Sequence, residues 1–121
     1  MSPLLQEGLP DLANELTSLL KKQNERDLFE QVPLLRLVDC CRCGDDFCAT
    51  LYTAPQPNGA YGPTHESLAL DPSSGQLIID LVDRKIVCIE ILFREDIRKK
   101  VLQLFPQTSA GTRLPQSGRP Q

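Results

Sequence analysis

The stretch QLIIDLVDRKIVCIEILF, residues 76–93, holds two apolar runs, 77–82 and 86–93, parted by the charged Asp83-Arg84-Lys85. Branched apolar residues on either side of a short polar break are the composition of a β-hairpin. Side-chain alternation then puts Ile78, Asp80, Val82, Val87, Ile89 and Ile91 on one face, and Leu77, Ile79, Leu81, Ile86, Cys88, Glu90 and Leu92 on the other. Both faces are mostly apolar, so both need cover. Asp80 and Glu90 interrupt them, one each. A buried carboxylate is costly unless paired, so each is expected near a strand end, against a Lys or Arg, or lining a pocket.

After the hairpin the pattern changes to REDIRKKVLQLF, where Ile97, Val101 and Leu104 form a helical stripe widened by Leu102 and Phe105. Glu95 and Asp96 suit the first turn of that helix, and Pro106 follows its end. From residue 107 the chain reads QTSAGTRLPQSGRPQ, with too little apolar content to offset the entropy of ordering. The expected organisation is a single domain over residues 1–106 and a disordered tail over 107–121.

Upstream, Leu12, Leu16, Leu19 and Leu20 recur at helical spacing, predicting a helix over residues 10–23 with Pro10 in its first turn. A shorter helical piece over 25–31 offers Leu28 and Phe29 and must stop by Val32, because Pro33 disfavours helical geometry in the residue before it. These helices are expected to cover one face of the sheet.

Residues 34–53, LLRLVDCCRCGDDFCATLYT, form a second hairpin around Gly44-Asp45-Asp46. Its register sets Cys43 opposite Cys48 and puts Cys41, Cys43 and Cys48 on one face with Leu37, Asp39, Thr50 and Tyr52, while Cys40 points the other way with Val38 and Ala49. Three thiols on one patch can supply three ligands to a soft metal such as zinc, with Cys88, His65 or an acid as the fourth. The spacing C-C-x-C-x4-C is not the paired C-x-x-C of zinc knuckles, and free cysteine packs readily as a small hydrophobe. Three readings therefore stand: structural thiols, a metal site at Cys41, Cys43, Cys48 and His65, or redox chemistry with a labile Cys43–Cys48 bridge. The expectation is that the thiols are mainly structural, with no cofactor, that Cys43 and Cys48 can be oxidised to each other, and that Cys40 and Cys88 are buried.

The connection APQPNGAYGPT, residues 54–64, leads to His65-Glu66 and a strand over 66–70. His65 beside Glu66 makes a poor catalytic pair, since neighbours in a strand face opposite ways. The plainer reading is a solvated histidine at the start of a strand.

The whole chain narrows the function classes. Its 121 residues carry a net charge of −3, with acids interspersed among the 13 Lys and Arg, so no basic field marks a nucleic-acid surface. No run reaches the roughly 20 apolar residues of a membrane span, and five cysteines, an odd number, suit a reducing, cytoplasmic compartment.

DLVDRKIVCIEIL followed by an acidic helix start resembles the closing hairpin of small bacterial proteins of unknown function, and CRCGDDFCATLYT is similar to a cysteine-rich hairpin in uncharacterised bacterial proteins. Together these cover about half of the chain. The resemblance implies a compact α+β meander and brings no activity with it. Cys88 stands where the resemblance leads one to expect a glycine.

The fold expected is α+β, an antiparallel β-meander of five strands at 34–43, 47–54, 66–70, 76–82 and 86–93, with N-terminal helices and one C-terminal helix packed on it. The preferred functional reading is a non-enzymatic interaction module with a protein partner or a second copy of itself, a homodimer. The alternative is a metal-binding or redox protein using Cys41, Cys43 and Cys48.

Overall fold

The computed structural model describes residues 2–106, and the tail expected at 107–121 lies outside the described residues. Four helices, α1 (Leu5–Gly8), α2 (Pro10–Lys22), α3 (Arg26–Phe29) and α4 (Glu95–Leu104), accompany five strands, β1 (Asp39–Cys40), β2 (Leu51–Tyr52), β3 (His65–Ala69), β4 (Gln76–Val82) and β5 (Lys85–Leu92). The fold is α+β with an antiparallel sheet in the order β1-β2-β5-β4-β3. That order departs from an uninterrupted meander in one place. β2 lies beside β5, so the connection to β3 must pass two strands before the chain rejoins the sheet at its far edge.

The helices follow from their local chemistry. In α2, Leu12, Ala13, Leu16, Leu19 and Leu20 are buried. The helix ends in a Schellman motif: Asn24 takes a left-handed φ of 58°, its N–H donates to the Lys21 carbonyl, and the Glu25 N–H donates to the Leu20 carbonyl. In α4 the apolar stripe is narrower than the spacing suggests, with Ile97 and Val101 buried and Leu102 and Leu104 partly exposed. Helix α1, over a stretch with no helical pattern of its own, is held by tertiary contact: Leu5 and Leu9 are buried, and the Leu5 N–H donates to the Leu35 carbonyl.

The hairpin 76–93 turns through Asp83 and Arg84, both at positive φ (52° and 61°), which is the type I′ geometry of two-residue hairpins. Arg84 fastens this turn to the region of α3 by ion pairs to Glu25 (2.8 Å) and Asp27 (3.0 Å), and Gln31 Nε2 donates to the Arg84 carbonyl (2.8 Å). At the other end, Arg94 makes a two-pronged pair with Glu15 of α2, each bond 2.8 Å.

The ladder of β4 and β5 is not regular. Val82 pairs with Lys85 and Leu81 with Ile86, but Asp80 pairs with Cys88, so Val87 is an extra residue, a β-bulge. This corrects the assignment of faces. Leu77, Ile79, Leu81, Ile86, Ile89 and Ile91 share the inner face, and all are buried. Cys88 and Glu90 cross to the face of Asp80. The physical reason lies in the spacing of the isoleucines: Ile86, Ile89 and Ile91 can face one core together only if an extra residue shifts the phase between 86 and 89.

The inner face and the buried residues of all four helices form one apolar cluster. The helices therefore sit on one face of the sheet. The other face is roofed by the 53–64 connection, which brings Gln56, Pro57 and Tyr61 over Asp80 and Cys88. No helix among the described residues is long and apolar enough to cross a membrane.

Candidate functional site

Registers across the outer face assemble a polar row inside an otherwise apolar sheet. Asp39 pairs with Tyr52, Tyr52 with Cys88, Cys88 with Asp80, and Asp80 with Ser67. Cross-strand partners share a face, so these five side chains lie side by side across all five strands. Thr50 and Glu90 occupy the next position along, and at the end of the 34–53 hairpin lie the thiols.

The register predicted for the 34–53 hairpin is followed as far as Cys41. Asp39 pairs with Tyr52 and Cys40 with Leu51, and the Cys41 N–H donates to the Thr50 carbonyl. Beyond Cys41 the ladder stops: Cys48 bridges Leu92, and the connection is tightened by the Cys48 N–H donating to the Asp45 carbonyl and by Gly44 at a φ of 84°. The sulfur atoms of Cys41, Cys43 and Cys48 all lie within 4.8 Å of one another. Cys40 and Cys88 are both buried, 3 % exposed, as expected. The pairing is less regular than two full strands: Leu37 is buried and Val38 exposed, the reverse of the predicted alternation, because the Leu37 N–H donates to the Pro3 carbonyl and the segment turns toward α1.

Each thiol has its own surroundings. Burial opposes the Cys48 thiolate, but the Thr50 hydroxyl, 3.4 Å from the sulfur, the Thr50 backbone and the neighbouring thiols outweigh it and hold Cys48 below the usual thiol range. Cys43 goes the other way. The Asp45 backbone favours its thiolate, yet hydrogen bonds with Cys41 and Cys48 and the Cys48 charge keep its proton on, up to about 11. Burial and the nearby carboxylates of Asp80 and Glu90 push Cys88 up to about 12.

His65 is not part of the cluster. It sits on β3, the edge strand farthest from β1, and with strands about 4.8 Å apart the sheet itself holds it well away from the thiols. It is exposed at the start of β3, as expected, but it is not without partners. Its Nε2 donates to Asp80 Oδ1 at 2.9 Å, its ring lies 4.8 Å from that of Tyr61, and the Ser67 hydroxyl donates to the same Asp80 oxygen at 2.8 Å.

Asp80 is 4 % exposed, and its partners explain how a carboxylate survives there. Burial acts to raise it, but hydrogen bonds from Glu90, His65 and Ser67 prevail and hold it below the usual range. Glu90 carries the opposite effect: its hydrogen bond to Asp80, then its burial, push it up to about 7. Among the described residues neither acid meets a Lys or Arg. They meet each other, and one proton serves both.

A groove of about 440 Å³ is shared by the thiols and the acid pair, its lining including Cys41, Cys48, Tyr52, Tyr61, Asp80 and Glu90. On the other side of the cluster is a smaller depression of about 230 Å³, where Arg42 and Arg98 stand beside Cys43 and Cys48. Tyr52 shares the thiol face in the predicted register, but Ser67 and Tyr61 carry no sequence signal for this site; only strand order and the 53–64 crossing bring them to it. Comparison with protein-family models, characterised sequences and solved structures returns no match.

Proposed function

We propose that the protein binds a soft metal ion, zinc by its donor set, through the thiolates of Cys41, Cys43 and Cys48. One observation carries the reading: three sulfurs within 4.8 Å of one another on a hairpin tip. Zinc–thiolate bonds of about 2.3 Å in tetrahedral array put sulfurs about 3.8 Å apart, so rotamer adjustment suffices to close the set. Three thiolates and a divalent ion leave a net charge of −1, and Arg42 and Arg98 in the adjoining depression complement it. Among the described residues no fourth His, Cys, Asp or Glu joins the group, so the remaining position falls to water or to a donor from outside the chain. Elemental analysis of the full chain purified without chelator tests the reading. One zinc per chain is expected, and failure to take up stoichiometric metal even when zinc is supplied overturns it.

A second observation favours an interaction module, compatible with the first reading. Phe47 and Phe93 stack at 5.2 Å between ring centroids while remaining 41 % and 61 % exposed, and Phe93 holds its ring there from a left-handed φ of 60°. Exposed paired aromatics beside a thiol cluster suit a protein partner or a second copy of the chain. Light scattering at micromolar concentration tests the homodimer. A monomer throughout removes it.

A further inference from the structure

We infer that Cys43 and Cys48 are an oxidative modification site, closing to an intrachain disulfide when the metal-free protein meets a hydroperoxide. All three sulfurs lie within 4.8 Å of one another, and exposure together with placement on opposite arms of the connection selects this pair. Cys43 and Cys48 lie on opposite arms of a connection closed by the Cys48 N–H donating to the Asp45 carbonyl, with their sulfurs within 4.8 Å of each other. Cys41 is less accessible than Cys43, half-buried where Cys43 is exposed. It lies on the same arm as Cys43, two residues before it. The Cys43 side has room to move, since Cys43 is exposed and Gly44, at its left-handed φ, has open space around it. The depression of about 230 Å³ that both thiols line gives a small oxidant access.

The chemistry balances with the hydroperoxide as the named oxidant. One thiolate attacks the terminal peroxide oxygen, the O–O bond breaks, and an alcohol leaves, or water when the oxidant is hydrogen peroxide. The second thiol then attacks the sulfenic sulfur, the S–O bond breaks, and water leaves as the S–S bond forms. Two thiols and one hydroperoxide give one disulfide, one alcohol and one water. Formation of the disulfide does not depend on metal binding. Its consequence does rest on the metal reading above: closing the bond removes two of the three ligands, so oxidation releases the ion.

The test uses the full chain, stripped of metal and exposed to one equivalent of hydrogen peroxide. The intact mass is expected to fall by two hydrogens. Cleavage after Arg42 and after Phe47 puts Cys41, Cys43 and Cys48 on separate peptides, and the cross-link is expected between those of Cys43 and Cys48. Cys41→Ser should retain the link, whereas Cys43→Ser and Cys48→Ser should lose it. A link that involves Cys41 instead, or sulfinic acid without any cross-link, overturns the proposal. Prior loading with zinc should slow the reaction at least tenfold; an unchanged rate with the Cys43–Cys48 link intact defeats the metal reading and leaves the disulfide standing.

Discussion

Asp80 stands opposite Cys88 in the β4–β5 ladder, while its neighbour Leu81 stands opposite Ile86. One extra residue, Val87, makes the difference, and with it the outer face gains both Cys88 and Glu90. Without the bulge Glu90 would point into the apolar cluster and Asp80 would lose its proton-sharing partner.

The acid pair gives the fold a pH dependence of stated sign. Glu90 is raised from 4.5 to about 7 in the folded chain, so the folded state holds its proton more tightly than the unfolded state does. The stabilisation is fully present below pH 4.5 and is lost as pH rises through about 7. Asp80, held low, works in the opposite direction and only at acid pH. Denaturant unfolding at pH 5.5 and pH 8.0 should therefore show a loss on going up, and Glu90→Gln should flatten it. An equal loss in that variant would assign the dependence to other groups.

Deletion tests the bulge. Removing Val87 leaves Ile86, Cys88 and Ile89 in strict alternation, so every inner residue keeps its face. The cost is confined to the hydrogen bonds Thr53 makes, N–H to the Val87 carbonyl (3.0 Å) and hydroxyl to the Ile86 carbonyl (3.0 Å). At about 1 kcal/mol each, the variant should remain folded and lose roughly 2 kcal/mol. Deleting Ile89 instead turns the rest of β5 over and should abolish cooperative unfolding. If both deletions behave alike in thermal melts, the bulge is not what sets the faces.

Gly75 closes the turn before β4 at a φ of 69°, and a Cβ there would lie 2.7 Å from the Leu92 carbonyl oxygen and 2.6 Å from Arg94 Cγ. Left-handed backbone alone costs an L residue about 1–2 kcal/mol, and the clash adds to it. Gly75→Ala should lower stability by at least about 2 kcal/mol. A neutral effect in urea titration would mean that the turn relaxes freely and does not hold Arg94 against Glu15.

What could be read from the sequence follows how local each signal is. Leu12, Leu16, Leu19 and Leu20 announce α2, and the pairing of Asp39 with Tyr52 follows from the local hairpin pattern, whereas Cys48 is held by a bridge to the distant Leu92. The Val87 bulge was legible in principle, because Ile86, Ile89 and Ile91 cannot share a face under strict alternation. Helix α1 was not, since Leu5 and Leu9 are placed by packing. The pairing of His65 with Asp80 depends on β3 taking the far edge of the sheet, a choice that only the crossing of residues 53–64 makes.

The most direct measurement of the central claim is a cobalt(II) titration of the reduced full chain, followed by competition with zinc. The account predicts one site per chain with sulfur-to-metal charge-transfer absorption, displaced by zinc, weakened by at least tenfold in each of Cys41→Ser, Cys43→Ser and Cys48→Ser, and unaltered in His65→Ala and Cys88→Ser. Absence of that absorption, or a site that survives all three cysteine substitutions, would contradict it.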